Sequence, residues 1–164
     1  MLGPEGRSGR PPPYVAVVGP GDATAQQIAS AEAIGRSLAE AGAVLVCGGG
    51  DGVMAAACRG ACSAGGISVG ILPGNDRLAA NDWVGVALPT GLGELRNGLI
   101  VRASDAVIAV GGAYGTLSEV ALALKTSVPV VGLFTWEIEG VLAVHTPQAA
   151  VARALELAGR RTRA

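Results

Sequence analysis

The segment DAVIAVGGAYGTLSEVALALK, Asp105–Lys125, decides the fold. Ala106–Val110 is an unbroken apolar run closed by two glycines, and a helix-compatible stretch follows to Lys125. A short strand that is apolar on both sides of its pleat is covered on both faces. That arrangement requires a parallel sheet held between helices.

The same order recurs along the chain. YVAVVG (Tyr14–Gly19), AVLVCGGG (Ala43–Gly50), ISVGIL (Ile67–Leu72), WVGVAL (Trp83–Leu88) and VPVVGLF (Val128–Phe134) read as strands, the last closing the core. Helices are expected over residues 23–42, 51–66 and 93–104, from the Gly111 turn to Lys125, and over 147–159. Thr24 and Gln27 spell a capping box for the first helix. Glu32–Arg36 and Arg36–Glu40 stand at i, i+4 spacing, and Gly42 ends that helix. Thr146-Pro147 supplies an N-cap and an N1 proline for the last one. The expectation is an α/β fold: one doubly wound parallel sheet with helices on both faces, over residues 14–158. A Pro/Gly-rich arm (1–13), read as flexible, and a basic tail (159–164) flank it.

Composition bounds the rest. The chain has 164 residues, 50% apolar and 15% charged, which suits one domain with a sizeable core. Aromatic residues make up only 3%, so Ala, Val, Leu and Ile must build that core. A net charge of −1 supplies no basic face for nucleic acid. No apolar run of membrane-spanning length occurs, and residues 1–13 lack the apolar core of a signal peptide. The cytoplasm is the expected location. Three cysteines, Cys47, Cys58 and Cys62, give no paired disulfide framework. With His145 the lone histidine, no metal site is expected.

Three strand ends carry glycine clusters: Gly19-Pro20-Gly21, Gly48-Gly49-Gly50 and Gly111-Gly112. Ligands of doubly wound sheets bind at the carboxyl ends of the strands. Glycine admits a ligand close to the backbone, and the free N–H groups at a helix start attract anions. The 26 glycines thus point to a phosphate cradle, with Gly112, Gly115 and Thr116 as its centre. The spacing is not a dinucleotide fingerprint, and no G-K-[ST] lysine is present. Glu119 admits two roles. It closes a second capping box, Thr116-Leu117-Ser118-Glu119, or it stands as a carboxylate in the ligand pocket. Arg96 and Asn97, at the same sheet edge, either flank that pocket or lie on the surface. Met54 either packs in the core or forms an adaptable wall of the pocket beside Gly49 and Gly50.

The stretches CGGGDGVMAAA and ELRNGLIVRASDAVIAVGGAYGTLSEVALALK resemble the lonely-guy (LOG) family, long mislabelled as lysine decarboxylases. The resemblance runs from Tyr14 to Phe134. It implies a Rossmann-like fold, a dimer, and hydrolysis of nucleoside 5′-monophosphates to free base and ribose 5-phosphate. The family's P-G-G-x-G-T-x-x-E motif falls on Gly111, Gly112, Ala113, Gly115, Thr116 and Glu119. Its preceding arginine-lysine pair falls on Arg96 and Asn97. The proline, the second glycine and the lysine are therefore replaced here, as in a sister branch that includes molybdenum cofactor carriers.

Two functions follow from the resemblance. The preferred one is a phosphoribohydrolase in which Glu119 stabilises an oxocarbenium-like sugar and orients a water, while Arg96 either holds Glu119 and the ribose or stabilises the departing base. The alternative is a carrier that binds a phosphorylated pterin or nucleotide without turnover. Neither requires a cofactor beyond that phosphorylated ligand. Lysine decarboxylation is discarded, since Lys125 is the only lysine and lies away from the glycine turns.

Overall fold

The structure, a computed structural model, describes residues 11–161. Seven parallel strands form one sheet. They are β1 (Tyr14–Val18), β2 (Val44–Cys47), β3 (Ser68–Leu72), β4 (Val86–Pro89), β5 (Ala106–Val110), β6 (Val130–Leu133) and β7 (Val141–Val144). Their order is β4-β3-β2-β1-β5-β6-β7. The chain winds outward from β1 to β4, then returns to the other side of β1 as β5. The direction of winding thus reverses between β1 and β5, whose register pairs Val15 with Ala106 and Val18 with Ala109. A crevice opens at such a switch point, outside the carboxyl ends of the strands.

The main helices are α1 (Ala25–Glu40), α2 (Val53–Ser63), α3 (Asn97–Arg102), α4 (Tyr114–Lys125) and α5 (Pro147–Arg161). Apolar residues of α1, α2 and α5 pack with Val15, Val17, Leu45 and Ile108 on one sheet face. Those of α3 and α4 pack with Ala16, Val18, Val46 and Val107 on the other. Successive strand residues thus enter opposite cores, which is why the strands read as unbroken apolar runs. All five aromatic residues lie outside the core, each at least 40% exposed.

Several expectations need correction. β7 went unread, because VLAV is a four-residue edge strand, mostly half-exposed, that follows a turn at Gly140. β4 starts at Val86 rather than Trp83, since Asn81 Oδ1 accepts from the Trp83 amide at 3.0 Å and folds that segment as an Asx turn. The helix expected over 93–104 is a 3₁₀ turn, Gly93–Arg96, followed by the six-residue α3. Glu32 leaves Arg36 and pairs with Arg59 of α2 at 2.8 Å, which lowers the Glu32 pKa. Arg36–Glu40 forms no ion pair among the described residues. Helix α5 runs to Arg161, into the segment expected as a tail. Residues 1–10 of the expected arm and 162–164 of the tail lie outside the described residues.

Candidate functional site

Four of the helices exceed ten residues, and all four start at the carboxyl edge of the sheet. Their first-turn N–H groups need partners. At α1 the Thr24–Gln27 capping box is formed as expected, with Thr24 Oγ1 accepting from Gln27 N and Gln27 Oε1 accepting from Thr24 N. At α2 the Val53 amide donates to the Pro20 carbonyl at 3.1 Å. At α5 Thr146 Oγ1 accepts from the Ala149 amide at 3.1 Å. Like α2, whose N-cap is Gly52, helix α4 begins on a residue with no capping side chain, Ala113, but α2 has the Pro20 carbonyl for its Val53 amide.

This start also overturns the second capping box. Helix α4 begins at Tyr114, so Thr116 lies within the first turn and Glu119 in the second. Both are buried, at 2% and 7% exposure. They line a cavity of about 190 Å³ together with Gly19, Pro20, Gly21, Met54, Arg96, Asn97, Ala113 and Gly115. Burial pushes the Glu119 carboxyl up to about 7, and the charge of Arg96 pulls the other way.

Arg96 and Glu119 share the cavity without forming an ion pair. The guanidinium is held elsewhere. Nε donates to the Ile71 carbonyl at 2.8 Å, Nη2 to the Gly48 carbonyl at 3.4 Å, and Nη1 to Asn97 Oδ1. Asn97 in turn donates from Nδ2 to Ser118 Oγ at 2.8 Å, and Ser118 donates to the Gly115 carbonyl at 2.7 Å. One chain of hydrogen bonds thus runs from the end of β3 to the first turn of α4. Ser118 is a member of it that the sequence reading missed.

The glycine clusters divide. Gly19 and Gly21 line the cavity, as does Gly115. Gly48, Gly49 and Gly50 do not: Met54 lies against Gly48 and Gly50, and Leu72 against Gly49. A Cβ on Gly50 would sit 2.9 Å from Met54 Cε, and one on Gly48 would sit 2.8 Å from Arg96 Nη2. Met54 is thus the cavity wall, and the β2 turn supports it from behind. That turn is itself satisfied: Asn81 takes the Gly49 and Gly50 carbonyls, each at 2.9 Å, and Cys47 Sγ accepts from Gly49 N at 3.3 Å. Gly111 and Gly112 also lie outside the Glu119 cavity, against Gln27 and Trp136. Among the cysteines, Cys58 packs with its sulfur 3.5 Å from that of buried Cys47, while Cys62 is exposed.

Among the described residues no helix is long and apolar enough to cross a membrane, and no three His, Cys, Asp or Glu side chains gather as a metal cluster.

The chain is similar in structure to the molybdenum cofactor binding protein of the phototrophic bacterium Rippkaea orientalis, with 36% identity and a TM-score of 0.86 over 91% of this chain and 99% of that one. The molybdenum cofactor carrier protein of Chlamydomonas reinhardtii matches at 34% identity and a TM-score of 0.82, with the same coverage. A probable cytokinin riboside 5′-monophosphate phosphoribohydrolase of Oryza sativa subsp. japonica, LOGL5, is 36% identical over 61% of this chain and 42% of its own length. The SLOG cluster4 family model matches residues 12–158, and the chain belongs to that family.

Proposed function

We propose that this protein binds and retains a phosphorylated heterocyclic cofactor, a phosphopterin, as a carrier like the molybdenum cofactor binding and carrier proteins it resembles in structure. The observation that carries this reading is the uncapped start of α4. The first turn of this helix, through Gly115 and Thr116, lines a cavity to which Arg96 adds positive charge and Thr116 a hydroxyl-bearing side chain. A dianionic phosphate satisfies these groups together. The tethering of Arg96 fixes its charge before the ligand arrives, which lowers the ordering cost of binding.

Phosphoribohydrolysis is the second reading, supported by Arg96 and Glu119 at the LOG positions and by LOGL5. Two features weigh against it. A carboxyl with a pKa of about 7 is only partly ionised at neutral pH, so it offers a developing sugar cation reduced charge. The LOG lysine is Asn97, whose amide is spent on Arg96 and Ser118. The readings separate by turnover. Incubation with a panel of nucleoside 5′-monophosphates, with chromatography of released base, yields none if the protein is a carrier. Base release that Glu119→Gln abolishes would establish the hydrolase.

We further infer that two copies pair through the face of α3 and α4. Leu99 of α3 and Tyr114, Leu117 and Leu122 of α4 are exposed, as is Leu95 in the turn before α3, Leu95 at 80% and Tyr114 at 92%. Exposed apolar side chains gathered in this way mark an interaction surface.

A further inference from the structure

The Glu119 cavity, at about 190 Å³, is smaller than the ~300–1,000 Å³ of ordinary small-molecule sites. It holds a phosphate and part of a sugar or side chain, but not a fused ring system as well. A second cavity, of about 340 Å³, is lined by Gln27, Gly112, Phe134, Thr135 and Trp136. Gly112 is the neighbour in sequence of Ala113, which lines the first.

Each lining residue is placed by a specific constraint. The Gly111 amide donates to the Leu133 carbonyl at 2.9 Å, which ties the β5 turn to the end of β6. Phe134 follows with φ of +57°, a conformation that bulky residues rarely adopt and that collects at functional sites. The chain thereby turns so that Trp136 lies against Gly112, where a Cβ would come within 2.5 Å of the indole. Gly111 has φ of +67° and faces the Gln27 amide, with Nε2 2.3 Å from where a Cβ would be. The paired glycines therefore make room for an indole and a side-chain amide.

The chemistry of the lining is that of ring recognition. Gln27 Oε1 is committed to the α1 cap, which leaves Nε2 as a donor of fixed orientation. Thr135 Oγ1 is the one buried side-chain polar atom without a partner among the described residues. A buried polar atom left without a partner is uncommon and marks this cavity wall as unusual. Phe134 and Trp136 are 44% and 40% exposed, in a protein that puts no aromatic residue in its core.

We infer that this cavity is a subsite for the planar nitrogen heterocycle, purine or pterin, of the ligand whose phosphate sits at α4. Trp136 stacks on the ring, and Gln27 Nε2 donates to a ring acceptor. The inference rests on the phosphate-cradle reading and names where the rest of that ligand goes.

Trp83→Phe leaves Trp136 as the only tryptophan and makes its emission a direct reporter. In this background the full chain is titrated with neopterin monophosphate, guanosine 5′-monophosphate and ribose 5-phosphate. The ring-bearing compounds are expected to quench Trp136 and ribose 5-phosphate to leave it unchanged. By calorimetry, Trp136→Ala should weaken the ring-bearing compounds about tenfold, the loss of one stacking contact. Trp136→Phe should restore most of it, and ribose 5-phosphate binding should stay within about twofold. Tighter binding of the neopterin compound assigns the subsite to a pterin, and the reverse order assigns it to a purine. Equal losses for all three compounds at Trp136→Ala, or none, would overturn the subsite while leaving the cradle intact. Failure of the unmodified protein to bind any of the three would overturn the cradle reading and the subsite with it.

Discussion

Arg96 and Glu119 face one cavity, yet the arginine is bonded to the Ile71 and Gly48 carbonyls and to Asn97 rather than to the glutamate. The site thus holds a fixed cation beside a carboxyl that burial keeps partly neutral. Each consequence of that arrangement is measurable.

The carboxyl gives stability a pH dependence of definite sign. Its folded pKa, about 7, lies above the ordinary 4.5, so between those values the folded protein holds a proton that the unfolded chain has lost. Stability from this group is full below about pH 4.5 and falls as pH rises through 7. The total loss is ~3 kcal/mol, since each unit corresponds to about 1.4 kcal/mol. Urea unfolding of the unmodified protein and of Glu119→Gln across this range should show a difference that grows with pH in favour of the variant. A constant difference would refute the burial effect.

Removing the guanidinium should cost both stability and ligand. Arg96→Met leaves the Ile71 and Gly48 carbonyls without their donor, and charged hydrogen bonds are worth ~1.5–3 kcal/mol each. A lowered Tm and a loss of phosphopterin binding of about tenfold or more are expected. Arg96→Lys should recover little of either, because an ammonium lacks the planar fork that reaches three partners. Full recovery in Arg96→Lys would mean that only the charge matters.

Restoring the LOG lysine should not restore a LOG site. Asn97 is 5% exposed, accepts from Arg96 and donates to Ser118. Asn97→Lys removes the acceptor and sets a second cation against the guanidinium. Destabilisation of ~2–4 kcal/mol is expected, with no gain in base release. A stable variant that hydrolyses nucleoside monophosphates would place this chain one substitution from catalysis.

Pairing through α3 and α4 predicts a two-fold mass by light scattering for the unmodified chain. Leu99→Asp together with Leu122→Asp should yield monomer, as both residues are exposed and neither supports the core. An unchanged mass in the double variant would place the interface elsewhere.

The fold was legible because the strands enter two apolar cores and so read as unbroken runs, as at Ala106–Val110. Glycine turns after β1, β2 and β5 also located the crevice, although the order of strands that brings those three together is not itself encoded in any local pattern. The site was legible only in part. Arg96, Glu119, Thr116 and Gly115 do share a cavity, but the role of each glycine depends on what lies against it. Gly48 makes room for Arg96 and Gly112 for Trp136, contacts between segments far apart in the chain. The capping-box spacing at Thr116 misled for a related reason: the helix starts at Tyr114, where no propensity signal stands. Ser118 and Gln27 gave no signal of a site, since a serine in a helix and a glutamine in a cap are ordinary.

The central claim is retention of a phosphorylated cofactor. The most direct measurement is to purify the full chain from a bacterium that makes phosphopterins, denature it, and quantify released pterin phosphate by fluorescence after oxidation. The account predicts phosphopterin in an amount approaching one per site, lost in Arg96→Met, with no base released from added nucleoside 5′-monophosphates. A protein that emerges free of phosphopterin and liberates base through Glu119 would contradict it.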